Sequence, residues 1–410
     1  MRILLLSMYF PPDPAASAVL AGGLARELQA LGHELSVVTS FPHYDTQRIW
    51  PTYRGEWMRY SSEDDMEIFR CWLYLPKRKD QTGGRLLSWF SFNLVSTLAA
   101  LRTGPQDVIL APSPPLTIGL SARWLARRKH CPYVYNVQDI YPDVAINAGM
   151  LRHPRLIQLA RYLEDTVYAG ATRITVITPA FAQNLKAKGV PAHKLAIIPN
   201  FVDVDFLRPG PRKNGFAQEQ DLVGRFVVLY AGNVGLSQGL ETLLEAANLL
   251  RTTSELLILI VGDGAAKKRL QRQAEAMQLP NVRFLPFQSQ SRLPDIYASA
   301  NVGVVLLRQG LAANSFPSKL YSIMAAGRPV VAALDPESDA WQLVHNAESG
   351  LTVPPEDPTA LADALLTVYR DREQAQRFGQ NGRRYVTARH SSQLIARQYD
   401  VLLRSIVTNL

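Results

Sequence analysis

The feature that most constrains the fold of this sequence is an alternation of short apolar runs with helical patterns, which occurs on both sides of a polar break. Runs typical of strands cover residues 3–8, 35–39, 68–75, 108–111, 133–137 and 174–178 before the break, and 226–231, 256–261, 282–285, 302–306 and 329–334 after it. Leucines at positions 20, 24, 28 and 31 share one helical face, and further helices are predicted at 239–250, 265–277 and 361–370. This alternation predicts parallel sheets that are covered by helices on both faces.

The polar break, residues 206–220, is rich in proline, glycine and basic residues, a composition typical of a linker. A chain of 410 residues is also too long for one ordinary hydrophobic core. The predicted fold class is therefore α/β, with two doubly wound, Rossmann-like domains that face a cleft. We assign residues 1–205 to the first domain, 206–380 to the second and 381–410 to a C-terminal helix.

Charge and cysteine content narrow the class of protein. The net charge of +9 suits an anionic sugar nucleotide, an anionic membrane surface or a nucleic acid. Nucleic acid is the least favoured, because the basic residues are scattered and no zinc-ligand spacing or basic tail occurs. Two cysteines, Cys71 and Cys131, exclude a disulfide framework and indicate reduced thiols in a cytoplasmic protein. The apolar residues 1–8 are expected to form the first strand rather than a signal peptide.

Residues 314–331 predict a helix that begins at an anion site and runs into a strand. Ser315 or Ser318 can cap the helix, and Pro317 suits its first turn because it has no N–H group to lose. Gly327 and Pro329 end the helix. One helical face should be buried, namely Phe316, Leu320, Ile323 and Met324. Lys319 and Ser322 lie on the other face, where free backbone N–H groups and a lysine would bind a diphosphate.

A glycine-rich loop joins the first strand of the second domain to the following helix. Its candidate phosphate-binding residues are Gly232, Asn233, Gly235, Ser237, Gln238 and Gly239. The alternative is an ordinary turn between a strand and a helix. Asp263 lies in a Gly-Asp-Gly turn after the next strand, where a tight turn before a helix is the simpler interpretation.

Loops at the carboxyl ends of the first domain's strands carry small and polar residues, and such edges bind ligands in α/β sheets. Asp13, Ala16 and Ser17 follow the first strand, and His43 follows the second; Asp13 could also be a turn former, and His43 an ordinary surface residue. In the segment 137–143, Asp139 could accept a proton from a hydroxyl or orient it, which makes it a catalytic candidate. Asp143 could bind the same ligand or cap a helix.

The segment 77–102 combines a basic cluster with an apolar, aromatic run. Residues 85–102 are too few to span a bilayer comfortably, since about 20 are needed. A core helix of the first domain is one interpretation. The other is a helix that faces an anionic membrane, with Lys77, Arg78 and Lys79 beside it.

The segment 314–331, which ends in Met-Ala-Ala-Gly-Arg-Pro-Val-Val, resembles the donor-binding segment of retaining GT-B glycosyltransferases of family 4, the glycosyltransferase group 1. Its Phe-Pro-Ser-Lys-Leu-Tyr part is similar to bacterial O-antigen and exopolysaccharide transferases of the colanic-acid type. Segments 198–203, 262–264 and 293–301 also resemble this family. The family's glutamate pair is replaced by Asn314 and Ser322, and its arginine and lysine by Asn233 and Gln238.

The resemblance implies a retaining glycosyltransferase (EC 2.4) that moves a sugar from a nucleotide-diphosphate donor, with UDP favoured. The acceptor would be a glycan or a sugar linked to a polyprenyl diphosphate, in cell-surface polysaccharide synthesis. No metal or cofactor is expected. The enzyme would be cytoplasmic, peripheral to the inner face of the plasma membrane, and would not bind nucleic acid. A nucleotide-sugar 2-epimerase and a non-catalytic sugar-nucleotide-binding scaffold remain alternatives.

The resemblance also assigns roles to residues. Phe287 stands where relatives hold the nucleobase, although it could equally be a core residue. We expect Lys319 to take over the charge of the missing arginine and lysine, and to act in catalysis. The acceptor would bind at the edge of the first domain, and the C-terminal helix would pack back on that domain. The predicted donor site comprises Gly232, Asn233, Gly235, Ser237, Gln238, Gly239, Asp263, Phe287, Ser315, Phe316, Pro317, Ser318, Lys319, Leu320 and Ser322.

Overall fold

The structure is a computed structural model that describes residues 1–76, 82–147 and 149–408. It divides into two compact units. The first unit comprises Met1–Asn200 with Ser392–Leu410, and the second comprises Phe201–Ser391. Each unit is an α/β sheet sandwiched by helices, which confirms the predicted fold class.

The first unit is built on a sheet with the strand order β3-β4-β2-β1-β5-β6-β7-β8, counted over the described residues. All neighbouring strands are parallel except β3 and β4. The strands are β1 (Arg2–Leu6), β2 (Glu34–Ser40), β3 (Met58–Glu63), β4 (Met66–Cys71), β5 (Val108–Pro112), β6 (Tyr133–Val137), β7 (Arg173–Val176) and β8 (Leu195–Ile197). The helices are α1 (Ala16–Ala30), α2 (Thr82–Ala100), α3 (Ile118–Lys129), α4 (Asp143–Asn147), α5 (Pro154–Gly170) and α6 (Pro179–Ala187).

The second unit has a parallel sheet with the order β11-β10-β9-β12-β13-β14 among its described residues. Its strands are β9 (Phe226–Ala231), β10 (Leu256–Val261), β11 (Val282–Leu285), β12 (Val302–Leu306), β13 (Val330–Ala333) and β14 (Gly350–Val353). Its helices are α7 (Gly215–Glu219), α8 (Glu241–Leu249), α9 (Lys267–Ala276), α10 (Leu293–Ser299), α11 (Lys319–Ala325), α12 (Asp339–Asn346), α13 (Pro358–Arg370) and α14 (Arg372–Arg389). The central strands β9 and β10 are buried on both faces, as expected where helices cover both sides.

The C-terminal segment predicted as one helix consists of two. Helix α14 belongs to the second unit, whereas α15 (Ser392–Val407) belongs to the first. Tyr399 of α15 accepts a hydrogen bond of 2.9 Å from the buried Asn136 of β6. Asp400 pairs with His33 at 2.7 Å. These contacts attach the last described helix to the sheet of the first unit.

The segment 206–220, predicted as a linker, is part of the second unit. It contains α7, and its side chains Leu207 and Phe216 are buried in the hydrophobic core under the sheet. Proline and glycine interrupt the strand pattern here because the chain turns several times over the core surface, not because it is detached.

Helix α2 corresponds to the apolar segment at 85–102; residues 77–81, which include the basic cluster, lie outside the described residues. One face of α2 is buried through Phe92, Val95 and Ala99. The opposite face is also apolar and exposed: Phe90 is 68% exposed and Leu94 56%. The helix therefore belongs to the core on one side and presents an unpaired apolar surface on the other. No described helix is both long enough and apolar enough to cross a membrane.

Candidate functional site

The carboxyl edge of the second sheet is formed by two glycine loops that touch. Gly232 follows β9 with a φ of 134°, and Gly262 follows β10 with a φ of 149°. A Cβ atom at Gly262 would overlap the carbonyl oxygen of Gly232, so the approach requires glycine. The Val234 N–H donates to the carbonyl oxygen of Asp263 at 2.9 Å and fixes the two loops together. This contact holds the backbone of the glycine loop at the end of β9.

Lys319 lies at this edge, at the first residue of α11. Its Nζ atom donates to Oε1 of Gln238 at 3.2 Å and lies 3.7 Å from the ring centroid of Tyr230. The Cε and Nζ atoms would also be 3.7 Å from a Cβ atom at Gly232. Residues predicted separately from the glycine loop and from the helix are thus brought together. Tyr230, at the end of β9, was not predicted, and its position before the glycine loop was the only available signal.

The charge of Lys319 is not balanced by an acidic side chain. Among the residues that the structure describes, no carboxylate lies within ion-pair distance of its ammonium group. Although the residue as a whole is partly exposed, burial of the ammonium group lowers its pKa to about 7. Arg308, a second cation beside the loop, is instead paired with Glu241 at 3.0 Å and Glu356 at 3.1 Å. Lys319 is therefore a cation at this edge that is suited to an anionic ligand.

Gln238 stands where the family lysine would be, and its amide is held in place. Tyr230 donates its phenolic hydrogen to the carbonyl oxygen of Asn233 at 2.6 Å and approaches Gln238 Oε1 at 3.3 Å. Gln238 Nε2 donates to the hydroxyl oxygen of Ser237 at 3.4 Å. The loop continues through Gly235 to Gly239, whose φ is 60°. Lys319 of α11 thus contacts the side chain that stands in place of the family's lysine.

The predicted cap of α11 is wrong. The helix begins at Lys319, after Pro317, and neither Ser315 nor Ser318 makes a side-chain cap; Ser318 is the N-cap residue but has a helical conformation. The Leu320 N–H donates to the carbonyl oxygen of Pro317 at 3.1 Å, because the chain enters the helix through a tight turn. Fewer free amides therefore remain than the sequence suggested.

Other members of the predicted donor set differ in accessibility. Leu320 is fully buried in the core, on the helical face predicted to be buried, so its side chain is not accessible to a ligand. Phe316 stacks on Tyr321 with ring centroids 5.4 Å apart and is only partly buried. The Ser322 hydroxyl is hydrogen-bonded to the buried Tyr297.

Asp263 and Phe287 lie after β10 and β11, at the same sheet edge as the glycine loop. Asp263 Oδ1 accepts the Gly264 N–H at 2.8 Å, as in the simpler turn interpretation. Phe287 is partly exposed, two residues beyond the end of β11. Strand β10 neighbours β9 in the sheet and β11 is the next strand along, so a ligand held at the glycine loop and extended towards this side would approach Asp263 before Phe287.

The carboxyl edge of the first sheet brings Asp13 and His43 together. Both are buried, at 3% and 4% exposure. Asp13 Oδ2 accepts the backbone N–H groups of His43 at 3.0 Å and Tyr44 at 3.3 Å. Its Oδ1 atom is buried and has no hydrogen-bond partner in the described part of the chain. Asp13 therefore joins the loops after β1 and β2, and it also closes a local turn, because its N–H donates to the carbonyl oxygen of Phe10 at 3.1 Å.

Burial favours the neutral forms of both Asp13 and His43. It raises the pKa of Asp13 to about 6, although the backbone N–H groups of His43, Tyr44 and Ala15 oppose the shift. It lowers the pKa of His43 to about 4. Because a carbonyl oxygen can only accept, the 2.8 Å contact with Phe41 places the His43 proton on Nδ1 and leaves Nε2 as an acceptor. The expectation that His43 is an ordinary surface residue is wrong.

Aromatic residues that were not predicted surround this edge. Tyr9 stacks on His43 at 5.4 Å between ring centroids. Trp89 of α2 packs edge-on against Tyr141 at 5.7 Å, and the Arg85 guanidinium lies 5.5 Å from the Trp89 ring centroid. Such a mixture of aromatic faces and a cation suits a sugar that carries hydroxyl groups or phosphate.

The other predicted acceptor residues differ in exposure and in the contacts that they make. Ala16 is exposed and begins α1, with Ser17 partly exposed beside it. Asp143 is the first residue of α4, and Lys188 pairs with it at 2.8 Å, so its carboxylate supports the fold instead of standing free for an acceptor. Asp139 is partly exposed in the turn after β6, two residues before Tyr141. Within the described residues, no group of three or more histidine, cysteine or acidic side chains could hold a metal ion.

Two family models match the chain, one on each unit. The model described as "Glycosyl transferase 4-like domain" matches residues 16–200, and "Glycosyl transferases group 1" matches residues 212–385. The chain is a glycosyltransferase of this family. It is 29% identical to the Escherichia coli protein WcaI, described as a colanic acid biosynthesis glycosyl transferase, over 89% of this chain and 91% of WcaI. It is 24% identical to the E. coli O-antigen chain mannosyltransferase C, over 65% of this chain and 71% of that protein.

Solved structures share the fold of this glycosyltransferase. Sucrose-phosphate synthase from Thermosynechococcus elongatus has a TM-score of 0.79 at 20% identity, with 100% of both chains covered. Anabaena HepE in complex with UDP-glucose has a TM-score of 0.73 at 18% identity, covering 99% of this chain and 100% of HepE. The two-domain architecture is GT-B, as the resemblance implied.

Proposed function

We propose that this glycosyltransferase transfers a sugar from a nucleoside-diphosphate donor, with UDP favoured, to a lipid-linked sugar during assembly of a bacterial surface polysaccharide. The assignment to polysaccharide assembly is supported by the names of WcaI and the O-antigen mannosyltransferase, and the UDP donor by HepE, which binds UDP-glucose. The observation that carries the donor proposal is Lys319. It is a cation with only neutral partners, set against a glycine loop.

The leaving group explains why such a cation is useful. Transfer breaks the bond between the sugar and the diphosphate, and negative charge accumulates on the departing oxygen. Lys319 would bind that diphosphate in its protonated form and stabilise the charge as it develops. The acceptor hydroxyl would attack from the face that the diphosphate leaves, which retains the anomeric configuration and needs no nucleophile from the protein. Asp139 is proposed to orient the acceptor hydroxyl or to accept its proton.

Calorimetric titration of UDP, GDP and dTDP into the wild type and Lys319→Ala tests the donor site. We expect one nucleotide to bind selectively and Lys319→Ala to weaken it by about tenfold or more, because a hydrogen bond to a charged group contributes about 1.5–3 kcal/mol. The matched control is Lys268→Ala, which removes an exposed lysine of α9 in the same unit. Equal affinities in all three proteins would refute the role of Lys319. Absence of binding to any nucleotide would favour a scaffold over an enzyme.

The retaining stereochemistry is tested by the product. The nucleotide identified by titration would be supplied as its sugar conjugates, and the anomeric coupling constant of the new linkage would be measured by NMR. The same configuration in donor and product supports retention, and the opposite configuration refutes it. Turnover of the donor sugar without any acceptor would instead indicate an epimerase.

We further propose that α2 rests on an anionic membrane, where a lipid-linked acceptor would be found. Its exposed apolar stripe comprises Leu87, Phe90, Leu94, Leu98 and Leu101. Exposed arginines flank this surface, namely Arg85, Arg102, Arg127 and Arg128. Apolar side chains that enter the lipid interface, beside cations that contact anionic headgroups, form an interfacial binding surface.

Flotation with phosphatidylglycerol vesicles tests this surface. Phe90→Ser with Leu94→Ser should abolish co-flotation, and replacing Lys77, Arg78 and Lys79 by glutamine should weaken it. The control is Val401→Ser, which removes a 69% exposed apolar side chain from α15 of the same unit. If the wild type does not float, or if the control fails as much as the α2 variant, this location is refuted.

A further inference from the structure

The second unit has a pocket of about 480 Å³ at the edge of its sheet opposite to the glycine loops. Phe226, Asn301 and Pro329 line it, and they lie where β9, β12 and β13 begin. Strand β9 is six residues long, so the pocket lies roughly 20 Å from the carboxyl ends of the strands at about 3.3 Å per residue. It is therefore a separate site from the proposed nucleotide edge.

Arginines dominate this pocket, and they come from separate segments of the chain. Its described lining contains no aspartate or glutamate. Arg212 precedes α7, Arg328 lies between α11 and β13, and the others are on α14. The arginines that line it are Arg212, Arg328, Arg372, Arg383 and Arg384. We call this set the arginine pocket.

Backbone carbonyl groups, not acidic side chains, hold the deeper arginines. Arg212 donates to the carbonyl oxygen of Arg225 at 2.6 Å. Arg328 donates to Gly210 at 2.7 Å and to Ala298 at 2.6 Å. The Nε atoms of Arg212 and Arg328 are buried, and neither has a hydrogen-bond partner among the described residues. Two residues that line the pocket thus each carry a buried, charged donor without a partner in the part of the chain that the structure describes.

The positive charges are close enough to repel one another. Burial lowers the pKa of Arg328 to about 10, and the charge of Arg212 adds to the effect. Burial lowers the pKa of Arg212 as well, with Arg372 contributing. Burial also lowers the pKa of Arg383, but the negative charge of Asp205 opposes this shift. A bound anion would relieve this repulsion.

Two exposed arginines of the pocket make few contacts with other side chains. Arg372 and Arg384 are exposed on α14. Arg384 makes no hydrogen bond or ion pair with any residue that the structure describes, and Arg372 only packs over the rings of Phe226 and Tyr369 at 5.7 Å. Their guanidinium groups can therefore turn towards a ligand without breaking a hydrogen bond or an ion pair with the described residues.

We propose that the arginine pocket binds the phosphate of a ligand that carries at least two negative charges, such as a diphosphate or a phosphomonoester. Several guanidinium forks can each contact two phosphate oxygens, an arrangement that favours phosphate over a singly charged carboxylate. The phosphate could belong to a soluble phosphorylated metabolite or to a phospholipid headgroup. Because the pocket and the glycine loops are at opposite ends of the same strands, this ligand does not compete with the nucleotide.

Arginine-selective labelling with phenylglyoxal tests the location on the wild-type protein. The protein is labelled with and without pyrophosphate, and modified arginines are identified by mass spectrometry. We expect pyrophosphate to protect Arg372 and Arg384 but not Arg377, which is exposed on the same helix and paired with Glu373 outside the pocket. Equal labelling of Arg372 and Arg384 in both conditions overturns the proposal.

Variants then test affinity and identify the source of the phosphate. All carry Lys319→Ala, so that pyrophosphate binding at the nucleotide edge does not contribute. Arg372→Gln with Arg384→Gln should bind pyrophosphate about tenfold more weakly or worse, whereas Arg377→Gln should be unchanged. Circular dichroism confirms that each variant is folded.

Vesicles containing phosphatidic acid form the second arm, in which every protein also carries Phe90→Ser with Leu94→Ser, so that the proposed membrane surface of α2 does not contribute to flotation. If the double variant loses only pyrophosphate binding, the ligand is a soluble phosphate; if it loses only vesicle flotation, the ligand is a headgroup. Loss of both supports the shared phosphate chemistry. If neither property differs between the double variant and Arg377→Gln, the arginine pocket is not a phosphate site.

Discussion

The carboxyl edges of the two sheets have the same topology but opposite charge. The edge of the second unit presents Lys319, a cation held by an amide oxygen and an aromatic ring. The edge of the first unit presents Asp13, a carboxyl group held by backbone N–H groups beside a neutral His43. Burial lowers the pKa of Lys319 to about 7 and raises that of Asp13 to about 6. In each case the protein leaves one charge without an opposite partner among the described residues, and the proposed function assigns the cation to the donor and the carboxylate to the acceptor.

The largest effect is expected where the second edge depends on backbone contact. Gly262→Ala should lower the free energy of unfolding by about 3–5 kcal/mol, because its Cβ atom overlaps the Gly232 carbonyl and its φ of 149° disfavours alanine. Gly224→Ala is the matched control, since Gly224 has a φ of 85° but no atom within 4 Å of the added Cβ. It should cost about 1 kcal/mol. Similar losses in urea denaturation of the two variants would contradict the close packing of the glycine loops.

The protein should become more stable when the buried charge of Asp13 at the first edge is removed. The pKa of Asp13 is raised from 3.8 to about 6, so the folded state binds more protons than the unfolded state between these values. Stability is therefore lost as the pH rises through this window. Asp13→Asn avoids the loss and should be more stable than the wild type by about 2–3 kcal/mol at pH 8, using 1.36 kcal/mol per pKa unit. The gain should disappear near pH 4.

Thermal denaturation at the two pH values measures this difference. Asp165→Asn, which replaces an exposed aspartate of α5 in the same unit, should change neither midpoint. A gain of equal size at both pH values would show that packing, not charge, is responsible. Glycosyl transfer by Asp13→Asn should nevertheless fall if the carboxylate contacts the acceptor, since stability and function then oppose each other.

Nucleotide binding at the second edge should also weaken as the pH rises, although a lysine is responsible here. Only protonated Lys319 attracts a diphosphate, and its pKa of about 7 means that the free protein loses this charge above neutrality. Nucleoside-diphosphate affinity should therefore fall by about tenfold per pH unit between pH 7.5 and 9. Lys319→Gln should bind weakly with no such slope. An identical slope in both proteins, measured by calorimetry, would assign the pH dependence to another group.

The sequence predicts strands well where they are continuously apolar. The bounds of β9, β10, β11 and β12 coincide with the predicted runs. Strands β9, β10 and β12 are fully buried, as expected where helices cover both faces, whereas β11 is a partly exposed edge strand. Strand β3 was missed since it lies at a sheet edge, and its residues 58–63 are largely polar and partly exposed. Strand β14 was missed because it is short and its first residue is a glycine.

The site was harder to predict than the fold because its contacts join distant residues. Lys319 was identified from its own segment, but its contact with Gln238, 81 residues away, depends on how α11 follows β12. Asp13 resembled a turn former because its partners lie about 30 residues further along the chain. The arginine pocket was not predicted at all, since no two of its segments share a local pattern. Local sequence thus indicates which strand ends carry polar residues, and packing decides which of these meet.

The smallest effect tests whether the neutral partners of Lys319 are essential to its position. Tyr230→Phe keeps the ring 3.7 Å from Nζ but removes the phenolic hydroxyl that contacts the Asn233 carbonyl and Gln238. Losing about 1 kcal/mol of hydrogen bonding should weaken nucleotide binding by about fivefold, much less than Lys319→Ala. Tyr369→Phe, which removes an exposed hydroxyl bonded to Glu255 at 3.2 Å, should have no effect. If Tyr230→Phe binds as weakly as Lys319→Ala, nucleotide binding depends on the position of the Gln238 amide as much as on the charge of Lys319. The two sheet edges would then differ in how their loops are held and not in the sign of their charge.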